Sequence, residues 1–184
     1  MTAAPVRPPL VPVLASRGGT QIKAPKPVLL IDTKEKFPFD FHAVAGWFSG
    51  IEKKSLLLGD YAIQGMEDVC VVERKSIEDL VSSFTDKRSV FVKRLQNMAK
   101  VPNRLLVIDG AWSQVKSTYD YCGVDPNWIT QSLIAAVAGL GVPFICCETH
   151  ELGAELVALY LQKVHLYAWL EANDFERFLS DDDL

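Results

Sequence analysis

Apolar residues along this chain come in short bursts of two kinds. The first kind is continuous. Val28-Leu29-Leu30-Ile31 is apolar throughout and closes on Asp32, the pattern of a strand buried on both faces. Arg104–Gly110 and Val142–Cys147 read the same way, the former ending in Asp109-Gly110. The second kind recurs at intervals of three and four. Phe41, Val44, Ala45 and Phe48 predict an amphipathic helix capped by Asp40 and stopped by Gly50. Ser76-x-x-Asp79 resembles a capping box ahead of Leu80 and Val81. Val90, Phe91, Leu95 and Met98 predict the inner face of a helix from about Asp86 to Lys100. Asp125-Pro126 opens a small-residue helix running to about Gly139, and Thr149 caps a long one from about Glu151 to Trp169. Trp112–Tyr121 is irregular or weakly helical. Ser55–Leu58 is a short strand, and residues 60–73 fold as a hairpin centred between Met66 and Glu67. Strands thus alternate with helices around one early hairpin, which predicts an α/β domain: a central mixed sheet with helices on both faces.

The termini fall outside this pattern. Residues 1–26 carry five prolines, a Gly18-Gly19 pair, four basic residues and no acid, and predict a flexible arm. Residues 173–184 form an acidic tail, leaving residues 27–172 as the domain. A chain of 184 residues has room for one sizeable core. Four cysteines without metal spacing or C-x-x-C pairing suit a reducing compartment, and no apolar run approaches a membrane span. The expected location is cytoplasmic (nucleoid-associated) or nuclear. His42, His150 and His165 fit no ligand spacing and predict surface or helix-packing roles.

The net charge of −4 argues against a polyanion partner only if it is spread evenly. It is not. From Glu148 onward nine acids face two bases, whereas residues 1–147 hold 17 bases against 14 acids. Between Asp86 and Arg104 six bases accompany one acid. A local basic field can bind phosphates despite an acidic total.

The chemistry concentrates in Val71-Val72-Glu73-Arg74-Lys75. On a strand Glu73 and Lys75 share one face and Arg74 takes the other. A strand-end salt bridge is the simplest account of the pair. The hairpin, however, sets Asp60 opposite Glu73, with Cβ atoms about 5 Å apart. Two carboxylates that close repel unless a proton or cation lies between them. Asp32 ends the first strand as a nearby third acid. Hard carboxylate oxygens suit magnesium, which lowers the pKa of a water and offsets charge on a phosphate. Lys75 could hold that water and the phosphate, or serve as a general base if burial near the metal lowers its pKa.

Glu73-Arg74-Lys75-x-x-x-Asp79, preceded by Gly59-Asp60, resembles the G-D…E-R-K-x-x-x-D signature of the XPF/MUS-type structure-specific endonuclease domain. Asp32 with Glu35 resembles that family's first acidic position, and Arg88 its arginine near the phosphate path. The order of elements from Val28 to about Tyr167 also fits. The resemblance implies the restriction-endonuclease-like fold and a Mg2+- or Mn2+-dependent endonuclease acting on branched or flap-like DNA. It makes Asp60, Glu73 and Asp32 metal-binding and catalytic, and Lys75 the catalytic lysine. Arg74 would form a structural or substrate-side ion pair, and Asp79 and Glu35 would support the site. Arg74, Lys87, Arg88 and Arg94 are the expected DNA contacts. The resemblance further implies a homodimer or heterodimer through the C-terminal helices. The tandem helix-hairpin-helix modules usual in that family do not follow here, so the grip on duplex is expected to be weak or borrowed. Two alternatives stand beside this reading. One is a catalytically silent DNA-binding or scaffold subunit, which would be expected to have lost an acid or the lysine; none is missing. The other is a junction resolvase or restriction-type nuclease of the same fold.

Overall fold

The computed structural model describes residues 24–173; most of the N-terminal arm and of the acidic tail lies outside them. Six strands form one sheet: β1 (Val28–Asp32), β2 (Gly50–Lys54), β3 (Tyr61–Ile63), β4 (Cys70–Ser76), β5 (Asn103–Asp109) and β6 (Phe144–Cys146). Their spatial order is β2-β1-β3-β4-β5-β6. β1 runs antiparallel to β3, and β3 to β4, while the β1–β2, β4–β5 and β5–β6 pairs are parallel. The sheet is therefore mixed, as its sequence pattern predicts.

Five α-helices cover it: α1 (Ile77–Phe84), α2 (Arg88–Met98), α3 (Trp112–Val115), α4 (Pro126–Leu140) and α5 (His150–Ala172). Strand alternation splits the core in two. Leu29, Ile31, Tyr61, Ile63, Val72, Leu105 and Val107 face Val157, Leu161 and Val164 of α5. Val71, Leu106 and Ile108 face α1, α2 and α4 through Leu80, Phe84, Phe91, Leu95, Ile129 and Leu133. Helices thus lie on both faces. The predicted caps form: Ser76 accepts from the Asp79 amide, Asp125 from that of Asn127, and Thr149 from that of Leu152.

Three local expectations are corrected. Residues 41–48 form not an α-helix but a 3-10 helix, His42–Trp47. Phe41, Val44 and Phe48 are buried while Ala45 is exposed, and the Val44 amide bonds the Phe41 carbonyl three residues back. The second strand is not Ser55–Leu58 but Gly50–Lys54, a mostly polar edge strand whose one large apolar residue, Ile51, is itself exposed. The Ser55–Leu58 run is a loop: Leu56 packs with Leu30 and Ala62, while Leu57 projects into water. Val90, expected on the inner face of α2, is 71% exposed.

The strand directions gather the chemistry at one end. The C-terminal ends of β1, β4 and β5 and the N-terminal end of β3 lie together there. Asp32, Asp60, Glu73–Ser76 and Asp109 come with them.

Candidate active site

Gly59 sets the position of Asp60. Its φ of +76° lies in the left-handed region, and a Cβ built there would come within 2.2 Å of the Val71 side chain and 2.9 Å of the Val72 carbonyl. The turn therefore lies tight against β4. The Asp60 amide donates to the Val72 carbonyl at 2.7 Å, and Asp60 Oδ2 accepts from the Arg74 amide at 2.7 Å. Tyr61 pairs with Val72, the register the hairpin symmetry predicts.

Alternation along β4 divides its three charged residues between the faces. Glu73 is fully buried on the α1/α2 side. Lys75 follows on that side, with Nζ 3.0 Å from Glu73 Oε1 and 5.3 Å from the centre of the Phe91 ring. Lys75 is near enough to attract but is not aligned to donate, so the buried Glu73 Oε1 has no hydrogen-bond partner. Arg94, from α2, donates to Glu73 Oε2 from Nε at 2.7 Å and holds it through Nη2 at 2.5 Å. The same Nη2 lies 3.6 Å from Asp60 Oδ1. The guanidinium thus faces both carboxylates. Burial, and next the Glu73 charge, push the Asp60 carboxyl up to about 7.

On the opposite face Arg74 packs over the Phe39 ring and bonds Asp109 Oδ2 through Nε at 3.0 Å and Nη2 at 2.5 Å. It also reaches Glu35 Oε1 at 3.5 Å. His150 Nδ1 lies 2.7 Å from the same Asp109 oxygen. Burial alone would raise the Asp109 pKa, but the bonds from His150 and Arg74 outweigh it and hold the carboxyl below its ordinary value. Asp109 and His150 were no part of the expected site. His150 is not a scattered surface residue: it ties the start of α5 to the end of β5. The spacing of its neighbours carries no sign of this, because 41 residues separate the partners. The Asp109-Gly110 strand end was the only available cue. A cleft of about 730 Å³ lined by Lys36, Phe37, Pro38, Arg74, Ser76, Glu78, Asp79 and His150 opens beside this network.

The remaining expected residues divide. Asp32 is buried at the end of β1, and its amide donates to the Asp60 carbonyl. Its Oδ1 accepts from the Leu56 amide at 3.0 Å, so it braces the loop leading to Asp60. Among the described residues no three His, Cys, Asp or Glu side chains converge to hold a metal; Asp32 is engaged by the Leu56 amide, while Asp60 and Glu73 share the Arg94 guanidinium. Glu35 accepts from the Phe37 amide and from Arg74. Asp79 is exposed in the first turn of α1. Lys87 is exposed ahead of α2. Arg88 donates to the Phe84 carbonyl and Ser132 Oγ and lies over the Trp128 ring, tying α2 to α1 and α4.

A divalent cation fits Asp60 and Glu73. Both are hard oxygen donors, both are buried, and Glu73 Oε1 meets the Lys75 ammonium at 3.0 Å without an aligned hydrogen bond, an incomplete arrangement that a cation would complete.

The family model for the ERCC4 domain matches residues 26–160. The chain belongs to the ERCC4 domain family, the XPF-type nuclease domain. A Methanocaldococcus jannaschii protein named "Putative ATP-dependent RNA helicase" is 30% identical over 139 residues, 75% of this chain. The match spans 16% of that protein's length. Among solved structures, XPF from Aeropyrum pernix superposes with a TM-score of 0.58 at 18% identity, covering 81% of this chain and 70% of that one. XPF from Aeropyrum pernix in complex with DNA gives 0.58 at 18% identity, covering 85% and 68%. At this identity the likeness establishes the fold, and the fold is that of the ERCC4 nuclease domain.

Proposed function

We propose that this ERCC4 domain is a Mg2+- or Mn2+-dependent endonuclease that hydrolyses phosphodiester bonds in branched or flap-like DNA. The observation that carries the reading is the buried Asp60–Glu73 pair with Lys75 beside it. A divalent cation held by Asp60 and Glu73 would supply Lewis acidity, lowering the pKa of a water and offsetting charge on the phosphate. Lys75 Nζ, fixed beside Glu73 and over Phe91, is placed to donate to a phosphate oxygen and orient the attacking water. Arg74 is fully engaged by Asp109 and Glu35, so its task is to hold β4 and the loop after β1 in place. Lys87, exposed ahead of α2, contributes to the basic face that meets the DNA backbone. Two copies, or this chain and a related subunit, pair through α4 and α5.

Glu73→Gln and Asp60→Asn test the reading. Each is expected to lower Mg2+-dependent cleavage of a flap or fork by on the order of 100-fold or more, with the fold intact by circular dichroism. Parent-like cleavage by either variant refutes it. A panel of duplex, flap, fork and four-way substrates, with chelator as control, separates a junction resolvase or restriction-type activity from the flap reading. One observation favours the silent-subunit alternative: Arg94 and Lys75 already set positive charge against the acid pair. A parent protein that binds branched DNA but leaves the whole panel uncut supports that alternative.

A further inference from the structure

We infer that Arg94 and a divalent cation are alternative occupants of the Asp60–Glu73 pair, and that metal binding releases the Arg94 guanidinium to a phosphodiester at the mouth of the site. The inference rests on the proposed metal-dependent reading and deepens it.

Three observations carry it. First, Arg94 makes its bonds to the acids themselves: Nε and Nη2 to Glu73 Oε2, and Nη2 facing Asp60 Oδ1 at 3.6 Å. A buried acid pair needs positive charge, and here a guanidinium supplies it. Second, the clamp is incomplete. Glu73 Oε1 is met by the Lys75 ammonium at 3.0 Å but by no aligned hydrogen bond, and Asp60 Oδ1 lies beyond hydrogen-bond reach of Nη2, so Arg94 alone satisfies the pair less well than a cation with several oxygen ligands could. Third, Arg94 has an open path away from the acids. Its side chain is 38% exposed, and it comes from α2, whereas both acids belong to the sheet. By contrast Arg74, only 9% exposed, is held by two acids on the other face and has nowhere to go.

Two positive occupants at one acid pair repel, so each lowers the other's affinity. A released guanidinium at the rim of a metal-loaded site is a forked donor suited to a phosphate. Substrate then favours the released rotamer, and metal and DNA bind with positive coupling through Arg94. Before either arrives, the same side chain holds positive charge against the acids.

The test uses the full chain without DNA. Mn2+ is titrated into the parent, Arg94→Gln, Arg94→Lys and Glu73→Gln, with bound metal followed by electron paramagnetic resonance. Charge-assisted bonds of this kind make the expected gain for Arg94→Gln about 10- to 100-fold in Mn2+ affinity. Arg94→Lys should fall between it and the parent, and Glu73→Gln should lose the site. In the parent, the Arg94 Nε–H resonance, assigned by its loss in Arg94→Lys, should leave its hydrogen-bonded position on addition of Mg2+. That shift is read in the parent protein itself, with only the assignment taken from the conservative variant, and a merely structural arginine would not show it. Unchanged or weaker Mn2+ binding by Arg94→Gln, or an Nε–H signal unmoved by saturating Mg2+, overturns the exchange. Parent protein that binds no Mn2+ even beside Arg94→Gln, and cuts nothing, overturns the nuclease reading instead.

Discussion

Asp60 shows how far one residue's chemistry depends on its neighbours. Burial and the Glu73 charge lift its carboxyl from 3.8 to about 7. The native state therefore keeps a proton that the unfolded chain releases. Its stabilising contribution is complete below pH 3.8 and is lost as pH rises toward about 7. Metal-free parent protein should thus lose a few kcal/mol from this group across that window, relative to Asp60→Asn, when urea unfolding is followed against pH. Parallel pH profiles for the two proteins would refute the shift. Gly59 acts on the same carboxyl through the backbone. Gly59→Ala combines a left-handed φ with a clash against Val71 and Val72, so it should cost about 1–3 kcal/mol in thermal unfolding and impair cleavage with it. At this scale the sequence was informative where residues are neighbours in a motif: Gly59-Asp60, Glu73 and Lys75 stand in its own signature. For Arg94 it offers a DNA contact on a basic helix face and no sign of the acid partners, which lie 21 and 34 positions away.

Among the elements, those with a buried repeat were legible and those without were not. β1, β5, α1, α4 and α5 were all foreseen, with caps at Ser76, Asp125 and Thr149 in place. β2 leaves no mark in the pattern because an exposed edge strand buries almost nothing, whereas the neighbouring Leu-rich loop carries the apolar run. Burial at 41, 44 and 48 has the three-and-four spacing of an α-helix, but Phe41 and Phe48 flank the 3-10 helix and reach the core from its two ends, so the spacing does not report its turn. Between elements, α5 approaches the loop after β1 through Gly153, where an added Cβ would lie 2.3 Å from the Phe39 ring. Phe39 in turn carries Arg74 above it and stacks near His150. Gly153→Ala should therefore destabilise the fold by about 1–3 kcal/mol and loosen the Arg74–Asp109–His150 network. A melting temperature equal to the parent's would show that the contact carries no packing load.

For the whole molecule, the open question is what meets the surfaces that the core leaves over. α4 presents Trp128, Ile134 and Val137, each more than a third exposed. If two copies pair through this region, light scattering should give twice the 20.4 kDa chain mass, and Ile134→Glu should return it to one. A parent protein of single mass at high concentration would exclude the homodimer. No described helix is long and apolar enough to cross a membrane. The sequence by itself determined the α/β class, the hairpin register and the acid pair, because each follows from periodicity or from residues a turn apart. Tertiary structure alone decided what surrounds that pair. It turned Asp32 onto the Leu56 amide, tied Arg74 to Asp109 and His150, and laid Arg94 across Asp60 and Glu73. These are contacts between distant segments, fixed by strand order and helix packing, and no local pattern of residue types encodes them.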